Sequence, residues 1–436
     1  MAAFILLFTL LVVISFTVFC IKTNSEQKKV RSIIRLLSLG VFAVLSLASV
    51  LEWGLRWYAL GLLLLVWAII AIISLSRGSR AKREFSRGRA VLRAIGALLL
   101  ITITLIPALI FPQFTLPKVT GEYEVATANE IWTDTSREEY FTATGGDHRF
   151  VNVAFWYPAN YDVTKGKCPL IVFSHGAFGI KDSNTSTYQE LASHGYVVCS
   201  IDHPYHAMYT TAPNGGIITA DSTFVNDISL INDDQYPIEA KSKIIQEILS
   251  LRVDDINFVL DQIGQMASSA KTDPLYTMID MKQIGLMGHS LGGAAAAEVA
   301  KKREDISAVV NLDGDFLGEH VFNDGKESYS KETYPKPILC FWSDLLYEGI
   351  RGMDGFPFLD QATASHEVHI KGSNHMSYTD LPYFSPFLNY SILKMSGLKK
   401  AEVDQRYCTE TMNQLILQFF NCYIRQEGNF EAATEY

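Results

Sequence analysis

Basic residues are scarce over most of this chain. The first 112 of its 436 residues hold 13 Lys and Arg against 3 Asp and Glu, which leaves 24 basic and 43 acidic residues beyond them, a net of −19. Such a surface has nothing to replace phosphate counterions, so nucleic acid is excluded as a partner of that part. Among the six cysteines there is no Cys-x-x-Cys pair, which removes the paired-cysteine zinc and dithiol motifs. Cys20 falls in an apolar stretch and Cys199 and Cys340 on expected strands; a disulfide among Cys168, Cys408 and Cys422 is compatible with the sequence but not implied by it. Internal repeats and low-complexity tracts are absent.

Charge is missing altogether from residues 2–21, 36–51, 57–76 and 94–117. About 20 apolar residues cross a bilayer core, so the first, third and fourth stretches are long enough. The second is short and spans if Arg35 and Glu52 snorkel, in which case the tight link 52–56 makes it a hairpin with the third. Trp53, Trp57 and Tyr58 are then expected at one interface, and Pro107 is a tolerable kink. Lys22, Lys28, Lys29 and Arg31 occupy the first link, and Arg77, Arg80, Lys82, Arg83, Arg87, Arg89 and Arg93 the third, while the hairpin carries only Arg56. Both basic links are therefore expected in the cytoplasm, with the chain after residue 117 on the outer side. A cleaved signal peptide would want a positive start, and no Lys or Arg precedes Lys22. Residues 1–117 are thus read as a four-helix transmembrane region and 118–436 as an extracytoplasmic domain.

From residue 121 strands and helices alternate, as in a mostly parallel sheet covered on both faces. Strands are expected at 123–132, 149–157, 169–174, 196–202, 284–287, 308–312, 337–342 and 367–370. Helices are expected at 187–194, 238–265 and 403–424, with 204–236 irregular. Between the fifth strand and a small-residue run (Ala294 to Ala297) stands Gly288-His289-Ser290-Leu291-Gly292. A serine flanked by glycines on a sharp strand-to-helix turn is left exposed as a nucleophile.

A serine hydroxyl needs a base, and the base needs an orienting acid. His320, His366, His369 and His375 follow Ser290; only His375 sits on a loop directly after a strand. His366 and His369 are strand residues pointing to opposite faces, and His320 lies in a polar loop where water should solvate it. For the acid, Asp313 and Asp344 each follow a strand at its carboxyl end, and Asp315 is two residues on. The backbone N–H groups of Leu291 and Ala177 are placed to face a developing oxyanion. His175 and His289 read as packing residues. Asp202-His203-Pro204-Tyr205-His206 offers two histidines without a third ligand nearby; they are read as lining the site mouth, with no metal bound.

Asn311-Leu312-Asp313, Gly288-His289-Ser290-Leu291-Gly292-Gly293, Leu170-Ile171-Val172-Phe173-Ser174-His175-Gly176 and Ile370-Lys371-Gly372-Ser373-Asn374-His375 together resemble the plasma-type platelet-activating factor acetylhydrolase family of α/β-hydrolases. The likeness covers roughly residues 149–424 and includes the order and spacing of all four motifs. It implies the α/β-hydrolase fold, Ser290 as nucleophile, Asp313 as acid, His375 as base, and a leaning toward phospholipids with short or oxidised acyl chains. Gly314 replaces an expected small-plus-aromatic continuation, and Ala177-Phe178 stands where leucine and glycine are expected.

The resulting expectation is a membrane-anchored serine esterase of lipase or phospholipase A2 type. It would use no metal or organic cofactor and no obligate protein partner, its partners being an ester or phospholipid and the bilayer. Phe316, Tyr347, Phe356, Phe358, Tyr378, Tyr383, Phe384, Phe387 and Tyr390 suit an apolar ester or ordinary core packing. Acyl transfer by the same residues and a silent binding domain are the alternative readings.

Overall fold

The computed structural model describes all residues except 77–83, 143, 234, 270–272, 324–325, 353–355, 361 and 363. Arg77, Arg80, Lys82 and Arg83 of the third link lie outside the described residues. The chain divides into two units, Met1–Thr115 with Tyr383–Ile392, and Leu116–Pro382 with Leu393–Tyr436.

The first unit contains helices α1 (Ala2–Lys22), α2 (Lys28–Leu47), α3 (Leu55–Ser76) and α4 (Arg87–Ile110). Each is long and apolar enough to cross a membrane. Helix α2 begins eight residues before the apolar stretch, because nothing in Lys28 to Arg35 breaks a helix. Helix α4 stops short of 117 because Phe111-Pro112 cannot continue it. Glu26 pairs with Arg93 at 3.0 Å. Trp57 is buried among the helices, whereas Trp53 and Tyr58 are exposed. In the same unit Ser385 donates to the Ile110 carbonyl (2.6 Å), and Phe384 packs on Phe111 and Phe114.

The second unit is built on β1 (Val125–Glu138), β2 (His148–Pro158), β3 (Cys168–Ser174), β4 (Val197–Asp202), the short pair β5 (Tyr209–Thr211) and β6 (Ile217–Thr219), and β7 (Ile279–His289). It continues with β8 (Ile306–Leu312), the pair β9 (His320–Asn323) and β10 (Lys326–Tyr329), β11 (Ile338–Trp342) and β12 (Ser365–His369). Its helices are α5 (Thr185–Ser193), α6 (Ser222–Ile231), α7 (Ile238–Ser268), α8 (Pro274–Thr277), α9 (Leu291–Lys302), α10 (Asp344–Gly352) and α11 (Pro357–Asp360). Two more, α12 (Leu381–Phe384) and α13 (Pro386–Met395), run across the unit boundary before α14 (Gln405–Tyr423).

Eight strands form one sheet in the order β1-β2-β4-β3-β7-β8-β11-β12. Contacts β1 to β2 and β2 to β4 are antiparallel and the rest parallel. The parallel strands read as unbroken apolar runs because both faces are covered. Along β3, Leu170 and Val172 face the α7 and α9 side with Ile256, Val259 and Ala295, while Ile171 and Phe173 face the α5 and α14 side with Leu191, Ile416 and Phe420. This geometry lines up the carboxyl ends of β3, β7, β8, β11 and β12 along one edge.

The expectation for the segment between β4 and α7 fails. Residues 204–236 are not irregular but contain the β5–β6 hairpin and α6. Helix α6 is made of poor helix formers; it is fixed by the Asp221 side chain, which accepts from Thr223 N (2.7 Å), and by burial of Phe224.

Candidate active site

Ser290 joins β7 to α9 with φ 53° and ψ −125°, a backbone state that only tight surroundings hold in a non-glycine residue. The glycines beside it are steric necessities: a Cβ at Gly288 would overlap the Gly292 carbonyl, and one at Gly292 the Ser174 carbonyl. Ser290 N donates to Leu312 O (2.9 Å), which ties the elbow to the end of β8.

The next residue there is Asp313, also at positive φ (53°) and buried. Asn311 clasps the following turn, donating to Gly314 O (2.7 Å) and accepting from Gly314 N (3.0 Å). Glycine is required at 314 because a Cβ would strike the Ser290 carbonyl. Asp313 Oδ1 accepts from Ser343 N (2.6 Å), and Oδ2 lies 2.7 Å from His375 Nδ1. His375 opens a 3-10 turn whose start is fixed by a reciprocal cap between Asn374 and Ser377. Its carbonyl accepts from His289 Nε2 (2.9 Å), and the two rings lie 4.6 Å apart. Burial, then the neighbouring His375, push the His289 pKa down to about 3, so His289 is a neutral donor.

The three expected residues therefore share one edge of the sheet. Asp313 and His375 are bonded, and both are tied to the elbow through Leu312 and His289. Ser290 Oγ itself makes no hydrogen bond among the described residues, as is common before substrate tightens such a site. The competing acids are engaged elsewhere. Asp344 accepts from His369 Nε2 (2.8 Å) and Gly372 N (2.9 Å); Asp315 accepts from His320 Nε2 (3.0 Å) and Tyr329 OH (2.8 Å). His320 is consequently a buried side chain and not a solvated one. His366 bonds Tyr423 OH (2.8 Å).

The loop after β3 lies against the serine, since a Cβ on Gly176 would sit 3.1 Å from Ser290 Cβ and 2.9 Å from His289 Nδ1. Among the described residues neither Ala177 N nor Leu291 N has a hydrogen-bond acceptor. Phe178, where a glycine was expected, is held at φ 60° with its ring 5.1 Å from that of Phe224. Phe224, Ile248 and Leu291 form a buried apolar wall with Ala177 and Phe178 packed on it. Phe316, Phe356, Phe358 and Tyr378 are core residues, so for them the packing reading holds.

Residues 151–434 match the sequence model of the family Platelet-activating factor acetylhydrolase, isoform II. The chain belongs to that family. It is 22% identical over 289 residues to the platelet-activating factor acetylhydrolase of Cavia porcellus, covering 62% of this chain and 60% of that one. A probable 1-alkyl-2-acetylglycerophosphocholine esterase of Arthroderma benhamiae is 31% identical over 174 residues, 39% of this chain and 36% of the relative. These matches span less than two thirds of the relatives' own lengths. The ferulic acid esterase of Streptomyces cinnamoneus superposes with a TM-score of 0.54 at 21% identity, over 72% of this chain and 94% of that one, which shows a shared fold.

Beneath the site of this acetylhydrolase-family chain lies a buried polar network that the motifs did not announce. Asp255 on α7 accepts from Arg149 Nε (3.1 Å) and Nη2 (2.7 Å), Arg137 Nη2 (2.9 Å) and His203 Nδ1 (2.9 Å). Although burial alone would raise it, the Arg149 charge and these bonds hold the Asp255 carboxyl well below its usual range. His203 Nδ1 therefore donates, and Nε2 accepts from Ser174 Oγ (2.9 Å). Ser174-His203-Asp255 thus repeats a triad's bonding, but all three are sealed from solvent and no ester can reach them. His203 and His206 accordingly do not line a site mouth: both are buried, and His206 stacks on Phe224. The signal in the sequence was Arg252 and Asp255, two charges three apart on the apolar face of α7.

Proposed function

We propose that the chain is a membrane-anchored serine hydrolase of carboxylic esters, with phospholipid esters of short acyl chain as its substrate class. The observation that carries this reading is the 2.7 Å bond between Asp313 and His375 beside a serine on a strained elbow. In this reading His375 Nε2 takes the Ser290 proton as Oγ attacks the acyl carbon. Asp313 holds Nδ1–H and stabilises the imidazolium. The N–H groups of Ala177 and Leu291 receive the oxyanion, each worth on the order of 3 kcal/mol in the transition state. The alcohol leaves with the proton from His375, and water then releases the acyl group from Ser290 by the same steps. The wall of Phe178, Phe224, Ile248 and Leu291 supports an apolar acyl group of limited length.

The names of the relatives support an acetylated glycerophospholipid or a related ester as substrate. Four apolar helices support anchoring, and the excess of Lys and Arg in the first and third links supports an outer position for the hydrolase unit. A fluorophosphonate probe should label wild-type protein and not Ser290→Ala, and product analysis on short-chain and long-chain esters should show free acid. Labelling that survives Ser290→Ala would refute the assignment.

A further inference from the structure

Arg252 on α7 is fully buried, yet among the described residues it bonds no carboxylate. Its Nη1 donates to the His175 carbonyl, its Nη2 to the Gly176 carbonyl (3.3 Å), and its Nε has no partner. The acid three residues on, Asp255, gives its oxygens to Arg149, Arg137 and His203. Burial lowers the Arg252 pKa to about 9, which still leaves it charged at neutral pH. A sealed cation satisfied only by neutral carbonyls is a costly arrangement that stability alone does not favour over an apolar side chain.

Both of those carbonyls belong to the loop that lies against Ser290. A trans peptide is planar, so its N–H points opposite to its C=O. Fixing the Gly176 carbonyl from the core side therefore fixes the Ala177 N–H in the opposite direction. The Gly176 carbonyl also accepts from Gly179 N (3.1 Å) and from His175 Nδ1 (2.6 Å), but those bonds are internal to the loop. Among the described residues only the Arg252 fork ties these carbonyls to a rigid helix. A cationic donor also polarises the peptide and strengthens its N–H as a donor.

We propose that Arg252 is the positioning residue of the oxyanion hole, holding the His175 and Gly176 carbonyls so that the Ala177 N–H meets the developing negative charge. This rests on the reading of Ala177 given above. Arg252 touches no substrate and acts through the backbone of the loop.

The test uses full-length protein in detergent with p-nitrophenyl acetate as substrate and an alkyl trifluoromethyl ketone, whose serine adduct carries the oxyanion, as analogue. Arg252→Met should lower kcat by about 100-fold with KM changed less than about threefold, and should weaken ketone binding by the factor lost in kcat/KM. Arg252→Lys keeps a charge but not the two-toothed fork, and should lose about tenfold in kcat and ketone affinity at an unfolding midpoint close to wild type. A structural role alone would lower the midpoint and leave both parameters of the folded fraction intact. Wild-type kcat and ketone affinity in Arg252→Lys would overturn the proposal, whether or not Arg252→Met folds. Ser290→Ala is measured alongside: if it keeps activity the site reading itself fails, whereas if it is dead and the Arg252 variants are unimpaired, only the role of Arg252 falls.

Discussion

Asp313 Oδ2 stands 2.7 Å from His375 Nδ1, while Asp344, just past the end of neighbouring strand β11, accepts from His369 and from the Gly372 N–H. By their place after a strand alone the two aspartates are equivalent in the sequence; in space they are unlike. Asp313→Asn should preserve the fold and lower kcat by about 10⁴-fold, since an amide favours the wrong imidazole tautomer. Asp344→Asn should stay within a few-fold of wild type. The pair of kcat values decides it, and the reverse ranking would transfer the acid's role to Asp344.

The Asp313–His375 bond shows what the sequence can and cannot tell about this edge of the sheet. Ser290 and His375 stood out as candidates because each lies in a short motif with local backbone demands, glycines around one and a glycine-bearing turn before the other. For the acid, position after a strand left Asp313, Asp344 and Asp315 open and only the resemblance around Asn311-Leu312-Asp313 singled one out, because no local pattern reports the φ of 53° at which Asp313 is held. The network around Asp255 was hidden for a different reason. It joins β1, β2 and the residue after β4 to α7, so the partners of Asp255 lie 52 to 118 residues from it in the chain. The parallel strands were plain from their apolar runs, whereas α6 was not, because its stability comes from one buried phenylalanine and a cap.

Gly314 departs from the family pattern, and the cause is steric. A Cβ there would lie 2.5 Å from Asn311 Oδ1 and would strike the Ser290 carbonyl, which already accepts from Ala294 N (3.1 Å) in the first turn of α9. Gly314→Ala should therefore cost about 1–3 kcal/mol of stability. It should also depress kcat at least tenfold in the folded fraction, because the displaced backbone carries the nucleophile. Thermal unfolding and kcat of the same preparation check both effects; a variant unchanged in each would show that the turn yields freely.

Asp380 supplies a pH prediction. It is buried, accepting from Ser186 N (2.7 Å) and Ser186 Oγ (2.5 Å), and burial raises its pKa to about 6 against the bonds that oppose it. A carboxyl raised in the folded state binds its proton more tightly there than in the unfolded chain. Its contribution is thus fully present below the unfolded value near 4 and is lost as pH rises to 6, above which it stays lost. The loss is on the order of 3 kcal/mol. Denaturant midpoints of wild type and Asp380→Asn at pH 4 and pH 7 should converge or reverse toward pH 7 in favour of the asparagine variant. A difference independent of pH would mean that Asp380 titrates normally.

Phe178 occupies a left-handed backbone position (φ 60°) at a cost of about 1–2 kcal/mol, and its ring packs on Phe224 beside Ala177 and Leu291. The strain is offset by burial of an aromatic ring against the wall proposed to receive the acyl group. Phe178→Gly relieves the backbone and empties that wall, so the net effect on stability should be small, within about 1–2 kcal/mol of wild type. Its effect on selectivity should be larger. With p-nitrophenyl acetate and octanoate, the ratio of kcat/KM for the long ester over the short one should rise about tenfold, chiefly through octanoate. If both esters lose rate equally and the ratio holds, the ring serves the loop's shape alone and the acyl chain lies elsewhere.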